Sequence, residues 1–177
     1  MKKKIIAAAL VASAVMSASA MAADGSVTFN GSITDETCEV TGGSDALTVD
    51  MGVAGSNSFD GKGSTSLAKP FVIQLTNCPA AWTTTPKDVR VNFDGDIDNG
   101  DSGVLKLDSA SDAKNVGIQI KDANNAVVNM QEDSSTYTLT GGSTVNKLRF
   151  TARYIATADT VGAGTANAVT QFSINYK

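Results

Sequence analysis

Residues 168–177, Ala-Val-Thr-Gln-Phe-Ser-Ile-Asn-Tyr-Lys, decide the fold class. Thr170, Phe172, Ile174 and Tyr176 fall on one face of an extended chain, and Gln171, Ser173 and Asn175 fall on the other. A period of two with β-branched and aromatic residues marks a half-buried strand. A strand that closes the chain is expected to leave its far edge unpaired, because no later strand is there to cover it. An unpaired apolar edge is an aggregation hazard unless a partner fills it by strand addition.

The same alternation recurs upstream. Strands are expected at Ser26–Ile33, Leu47–Met51, Phe71–Thr76, Val89–Phe93, Val104–Leu107, Val116–Lys121, Ala126–Met130, Thr136–Leu139, Leu148–Ala156 and Ala168–Tyr176. Turn chemistry separates them at Gly42-Gly43, Gly61-Lys62-Gly63, Asp94-Gly95, Asn99-Gly100, Asn124-Asn125 and Gly141-Gly142. Many short strands at this spacing predict an all-β antiparallel sandwich. The antibody-type pattern is missing, since Trp82 follows the second cysteine instead of lying between the two.

The N-terminal end reads as an address. Lys2, Lys3 and Lys4 precede an apolar run of 12 residues, Ile5 to Met16. That suits a signal peptide and is short of the roughly 20 residues a spanning helix needs. Cleavage is expected after Ala22, with a site after Ala20 as the competitor. The mature chain then has 155 residues, one domain by length. Its 11 basic and 18 acidic residues leave a net charge of −7, with no basic run in the mature sequence. That balance argues against nucleic acid and anionic lipid as partners.

Export also bears on Cys38 and Cys78, the two cysteines of the chain. In an oxidising compartment two thiols most simply pair. Closing a loop of about 40 residues contributes roughly 4 kcal/mol in the chain-entropy model.

Catalytic sets are hard to build from this composition. The chain has no histidine, which removes the commonest general base and metal ligand. No pair of carboxylates stands out for acid–base work; most acidic residues lie beside Gly, Asn or Ser. The stretch Asp94-Gly-Asp-Ile-Asp-Asn-Gly-Asp101 resembles the start of a calcium loop. It lacks the glycine at the sixth position and the closing glutamate, where Asn99 and Leu105 stand. A solvated loop built on Asp-Gly and Asn-Gly turns is the preferred reading. No enzyme, metal or cofactor is expected.

The mature N-terminus alternates as well. Val27, Phe29, Gly31 and Ile33 share one face, with Thr28, Asn30, Ser32 and Thr34 opposite. By periodicity alone this is an ordinary edge strand. Gly31 leaves a gap in the middle of its apolar face.

Gly25-Ser-Val-Thr-Phe-Asn-Gly-Ser-Ile-Thr-Asp-Glu-Thr-Cys38 resembles the N-terminal extension and first cysteine of chaperone–usher pilins. Phe71-Val-Ile-Gln-Leu followed by Asn77-Cys78 resembles their second cysteine region, and Asn115-Val-Gly-Ile-Gln-Ile120 their middle. The C-terminal end resembles their closing motif, with Tyr176 penultimate and Gly164 fourteenth from the end. The likeness spans essentially the whole mature chain and points to the type 1 major-subunit group. Only four residues precede Val27, fewer than the family pattern leads one to expect.

The resemblance implies an immunoglobulin-like sandwich that lacks its seventh strand. Residues 1–22 would be the signal peptide, 23–36 a donor-strand extension and 37–177 the pilin domain. Val27, Phe29, Gly31 and Ile33 would enter a neighbour's groove. Phe172, Ile174 and Tyr176 would border this subunit's own groove, with Gly164 part of the same motif. The Lys177 carboxylate would be held by a periplasmic chaperone. Other implied partners are an outer-membrane usher, identical or related pilins and a tip adhesin complex. The product would stand on the cell surface as a fimbria, with this chain its major shaft subunit. A minor, adaptor or receptor-binding subunit is the alternative. A two-domain tip adhesin does not fit, because Phe29 to Ile33 lie too near the mature N-terminus to leave room for a lectin domain.

Overall fold

The computed structural model describes residues 27–30, 37–41 and 47–177. The chain separates into two units, Met1–Ile33 and Thr34–Lys177. In the first, Val27 to Asn30 have no regular secondary structure and are exposed. The expected strand Ser26–Ile33 is therefore not formed over 27–30, and the rest of it, with Gly31 and Ile33, lies outside the described residues.

The second unit is all-β, and its described residues contain no α-helix. Its strands are β1 (Glu39–Val40), β2 (Lys69–Thr76), β3 (Lys87–Asp94), β4 (Ile97–Asp98), β5 (Asp101–Leu105), β6 (Val116–Lys121), β7 (Tyr137–Leu139), β8 (Asn146–Ala156) and β9 (Gln171–Tyr176). They form a six-stranded sheet in the order β1-β2-β8-β6-β5-β4 and a three-stranded sheet in the order β7-β3-β9. The named pairings are antiparallel.

Alternation explains the core. Along β8, Leu148, Phe150, Ala152, Tyr154 and Ala156 are buried, while the residues between them face outward. Along β3, Val89, Val91 and Phe93 are buried in turn. The two sheets meet through aromatic rings: Phe93 of the small sheet stands edge-on to Phe150 of the large one, with centroids 5.2 Å apart. Phe71 stacks on Phe150 at 5.5 Å, its direct partner across the β2–β8 pair. Such contacts add to the burial of apolar area that holds the sheets together.

Asparagine supplies many of the turns. Asn77, Asn99, Asn115 and Asn125 all have positive φ, a conformation that Asn tolerates better than other side-chain-bearing residues. Asn99 (φ 48°) and Gly100 (φ 81°) join β4 to β5, the two-residue turn that a hairpin favours. The aspartates of this stretch serve the local turns: Asp98 accepts from the Asn99 side chain, and Asp101 from the Gly103 amide.

Two expected strands are absent. Leu47–Met51 has no regular secondary structure. In Ala126–Met130 the alternation is real, since Val128 and Met130 are buried. Their amides, however, bond to carbonyls in different places, Ile120 for Val128 and Ser102 for Met130, so no ladder forms. Alternation there records which residues face the core, and pairing depends on where the neighbouring chain runs. β1 and β4, two residues each, carry no signal of their own.

Asp122 anchors the turn after β6. Its carboxylate accepts from the amides of Asn124 (2.9 Å), Ala126 (3.1 Å) and Ser135 (3.0 Å). Burial pushes this carboxyl up, but the hydrogen bonds from Ser135, Ala126 and Asn124 together outweigh burial and hold it below its ordinary value of 3.8. A depressed native pKa gives stability that is complete above the unfolded value and is lost as pH falls through it and below. Asp122→Ala should cost about 2–3 kcal/mol at neutral pH, because three amides lose a charged acceptor. The difference in urea midpoint between the native chain and Asp122→Asn, followed by Trp82 fluorescence, should shrink as pH falls from about 6 to about 3. A difference that stays constant with pH would refute this role.

Candidate functional site

Two sheet edges come together at one side of the sandwich. β3 is the centre of the small sheet, flanked by β7 and β9, so Val89, Val91 and Phe93 are nearly sealed, at 0%, 0% and 2% exposure. Directly opposite them on β9 stand Tyr176, Ile174 and Phe172. These three point to the same core but remain only half-buried. The difference is positional. β3 has a strand on each side, whereas β9 has β3 on one side and no strand on the other among the described residues.

The facing edge belongs to the large sheet. β1 is its border strand, and Cys38 and Val40 there are also half-buried against the core. Cys38 precedes β1, and Cys78 follows β2, the strand that β1 pairs with. The two cysteines are joined by a disulfide, with Cα atoms 4.1 Å apart. The bond fixes a border only two residues long to the well-paired β2.

The two edges touch at one end. The Cys38 amide donates to the Tyr176 hydroxyl at 3.2 Å. The Tyr176 ring rests against buried Trp82, with centroids 5.7 Å apart. Phe172, toward the other end, packs near Phe93 at 6.4 Å. We read this arrangement of half-buried over sealed apolar residues as a trough, walled by β9 and β1 and floored by β3 and β2 residues. It carries a free backbone edge along β9 among the described residues. Such a trough can accept one extended chain whose alternate side chains are apolar.

The outer face of β9 is tied down separately. Asp133 accepts from the Asn175 side chain at 2.6 Å and pairs with the Lys177 ammonium at 3.6 Å. The Lys177 amide donates to the Asp88 carbonyl. Lys177 thus continues the β3 pairing one residue past β9.

Gly164 is placed away from the trough, in the segment leading to β9. A Cβ there would overlap the Ala113 amide nitrogen and the Asp112 backbone. This close approach lets the Thr165 carbonyl accept from Ala113, and the Thr165 hydroxyl from the Asp112 amide, each at 3.0 Å. Val27 and Phe29 are 78% and 92% exposed. The structure therefore brings together Phe172, Ile174, Tyr176 and Cys38, while Gly164 supports the approach to β9. Sequence reading missed Val40, Trp82 and Asp133. Trp82 sits in a short 3-10 turn, Ala80–Thr83, without strand periodicity to announce it.

Comparison with known proteins agrees with this architecture. The family model described as Fimbrial protein matches residues 27–177. Long polar fimbria protein A of Salmonella typhimurium is 40% identical over 181 residues, covering 100% of this chain and 98% of that protein. The type-1 fimbrial protein A chain of Escherichia coli K12 is 37% identical, covering 97% and 93%. A solved chaperone–usher pilus, studied for how its rod uncoils, superposes with a TM-score of 0.63 at 26% identity, covering 88% of this chain and 96% of that one. The sandwich is the immunoglobulin-like fold of pilins. The chain belongs to the fimbrial protein family and is a structural, non-enzymatic subunit of fimbriae at the cell surface.

Proposed function

We propose that this chain is a major shaft pilin that polymerises by donor-strand exchange. The observation that carries the reading is the trough beside β9, where Phe172, Ile174 and Tyr176 stay half-buried opposite fully buried β3 residues. Residues 23–36, freed by removal of 1–22, are the donor extension, and 37–177 are the acceptor domain. Val27, Phe29 and Ile33 of one copy enter the trough of the next, with Gly31 at its narrowest point. Fully burying each large side chain is worth roughly 1.5–3 kcal/mol. Backbone bonds to the β9 edge add roughly 0.5–1.5 kcal/mol each.

A donor and an acceptor at different places on one subunit make a head-to-tail contact, which grows an open filament. Before assembly a periplasmic chaperone fills the trough and holds the Lys177 carboxylate, and an outer-membrane usher brings in the next subunit. The filament ends in a tip adhesin complex. The solved relative that forms an uncoiling rod supports the shaft role, and we carry the coiled rod over to this chain as part of the proposal.

The test uses a synthetic peptide of residues 23–34 and the purified chaperone-bound subunit. The peptide should displace the chaperone and leave a stable one-to-one complex. A peptide with Val27, Phe29 and Ile33 replaced by aspartate should not. If both peptides, or neither, displace the chaperone, the donor assignment fails.

A further inference from the structure

We propose that the outer face of the large sheet is a lateral contact surface for a second copy of this chain, which docks its acidic 94–112 segment there. The inference rests on the coiled-shaft reading above. Its observation is separate from the trough.

Cations dispersed along the sequence are gathered by strand register. Alternation turns Lys147, Arg149, Thr151 and Arg153 of β8 to the outer face. Directly opposite Thr151 on β6 is Lys121, and opposite Arg153 is Gln119. Partners across an antiparallel pair share a face. Each outward row from 147 to 153 therefore carries one cation, in a stripe with rows roughly 7 Å apart. β2, β6 and β8 together hold five basic residues and no acidic one.

These charges have no counter-ion in their own subunit among the described residues. Among the described residues the ion pair formed is Lys177–Asp133, far from the stripe in the fold's other sheet. Arg153 is steered instead by Gln119, whose carbonyl accepts from two of its nitrogens, one at 2.6 Å. Among the described residues Lys121 reaches only the Asn125 side chain, at 3.3 Å. Neighbouring like charges on one sheet face disfavour the isolated subunit, so the arrangement suits a surface that meets negative charge elsewhere.

The chain carries that negative charge at another place. Residues 94–114 hold six aspartates against two lysines. Asp94, Asp96, Asp101 and Asp112 are exposed. Asp96, Asp98 and Asp108 border an open polar cleft beside β4, the opposite border of the large sheet from β1. Cationic stripe and acidic segment are distinct surfaces of one subunit. They can be satisfied together only between copies in a repeating, heterologous arrangement, which is what turns of a coiled filament provide. The overall excess of acid disfavours a polyanion as the main occupant.

The experiment uses fimbriae assembled by cells from the full chain. Exposed charges are screened within roughly 3 Å at 1 M salt. Wild-type rods should therefore open into thin threads as sodium chloride is raised toward about 1 M, seen by electron microscopy. Lys147→Glu with Arg149→Glu should give thin threads already at low salt. The neutral pair Lys147→Gln with Arg149→Gln should open at lower salt than wild type. Adding Asp96→Lys and Asp98→Lys to the reversed variant should restore the wide rod. In every variant the ladder of detergent-resistant polymers should persist, because strand addition is separate from the lateral contact. Loss of that ladder in wild type would refute strand addition, and the lateral contact with it. Rods of unchanged width in both charge variants would overturn the lateral contact alone. So would unchanged rods whose variants lose retention on heparin, since the stripe would then serve a polyanion.

Discussion

A subunit lacking residues 23–34 should still bind its chaperone and should fail completely to join another subunit's trough. On the proposed reading the acceptor trough is built from β9, β1, β2 and β3, all of which the deletion leaves intact. In the proposed exchange the deleted stretch would supply Val27, Phe29 and Ile33, worth together several kcal/mol of burial at roughly 1.5–3 kcal/mol each. A purified exchange assay measures this, with the truncated chain offered to chaperone-held wild-type subunits. Insertion at the wild-type rate would show that another segment is the donor. A finer arm of the same assay uses Gly31. Gly31→Leu should slow exchange by about 100-fold, if the added side chain forces overpacking of about 3 kcal/mol. Asn30→Leu, on the opposite face of the extension, should change the rate far less. Equal rates for Gly31→Leu and wild type would mean that this face meets no shaped pocket.

The second large effect is expected at Gly164. Alanine there would drive a Cβ into the Asp112–Ala113 backbone. Backbone cannot rotate aside as a flexible side chain can. The Thr165 bonds to Ala113 and Asp112 must lengthen or break with the displacement. Overpacking plus lost hydrogen bonds should cost about 3 kcal/mol or more. Urea unfolding followed by Trp82 fluorescence should show the midpoint falling sharply for Gly164→Ala. Gly100→Ala is the comparison. No atom lies within 4 Å of its added Cβ, so its cost should come from the positive φ alone, about 1 kcal/mol. Similar midpoints for the two variants would contradict the close-approach argument.

Much of the fold is legible in the sequence. Val116–Lys121 is a strand over the expected residues, and β2, β3, β8 and β9 differ from expectation by a few residues at their ends. These strands are among the longer ones, and β3, β8 and β9 alternate strictly in burial, so one face is committed to the core whichever neighbour they find. Short strands behave differently. Glu39–Val40 and Ile97–Asp98 exist because a neighbour passes alongside them. Ala126–Met130 shows the converse, a well-alternating segment with no ladder to join.

The candidate site divides along the same line. That the chain ends in an apolar, alternating strand is a property of residues 168–177. That this strand lies at a border, beside the Cys38 edge and against Trp82, depends on which strands pair. The sequence alone determined the all-β class, the alternation of apolar residues along the long strands and the asparagine and glycine turns, because each follows from neighbouring residues through backbone geometry. Only the tertiary structure decided that Phe172, Ile174 and Tyr176 stay half-buried while Val89, Val91 and Phe93 are sealed. It also decided that Lys121, from one strand, falls in line with Lys147, Arg149 and Arg153 of another. Both outcomes are set by strand order and register, and these join residues far apart in the chain that no local pattern connects.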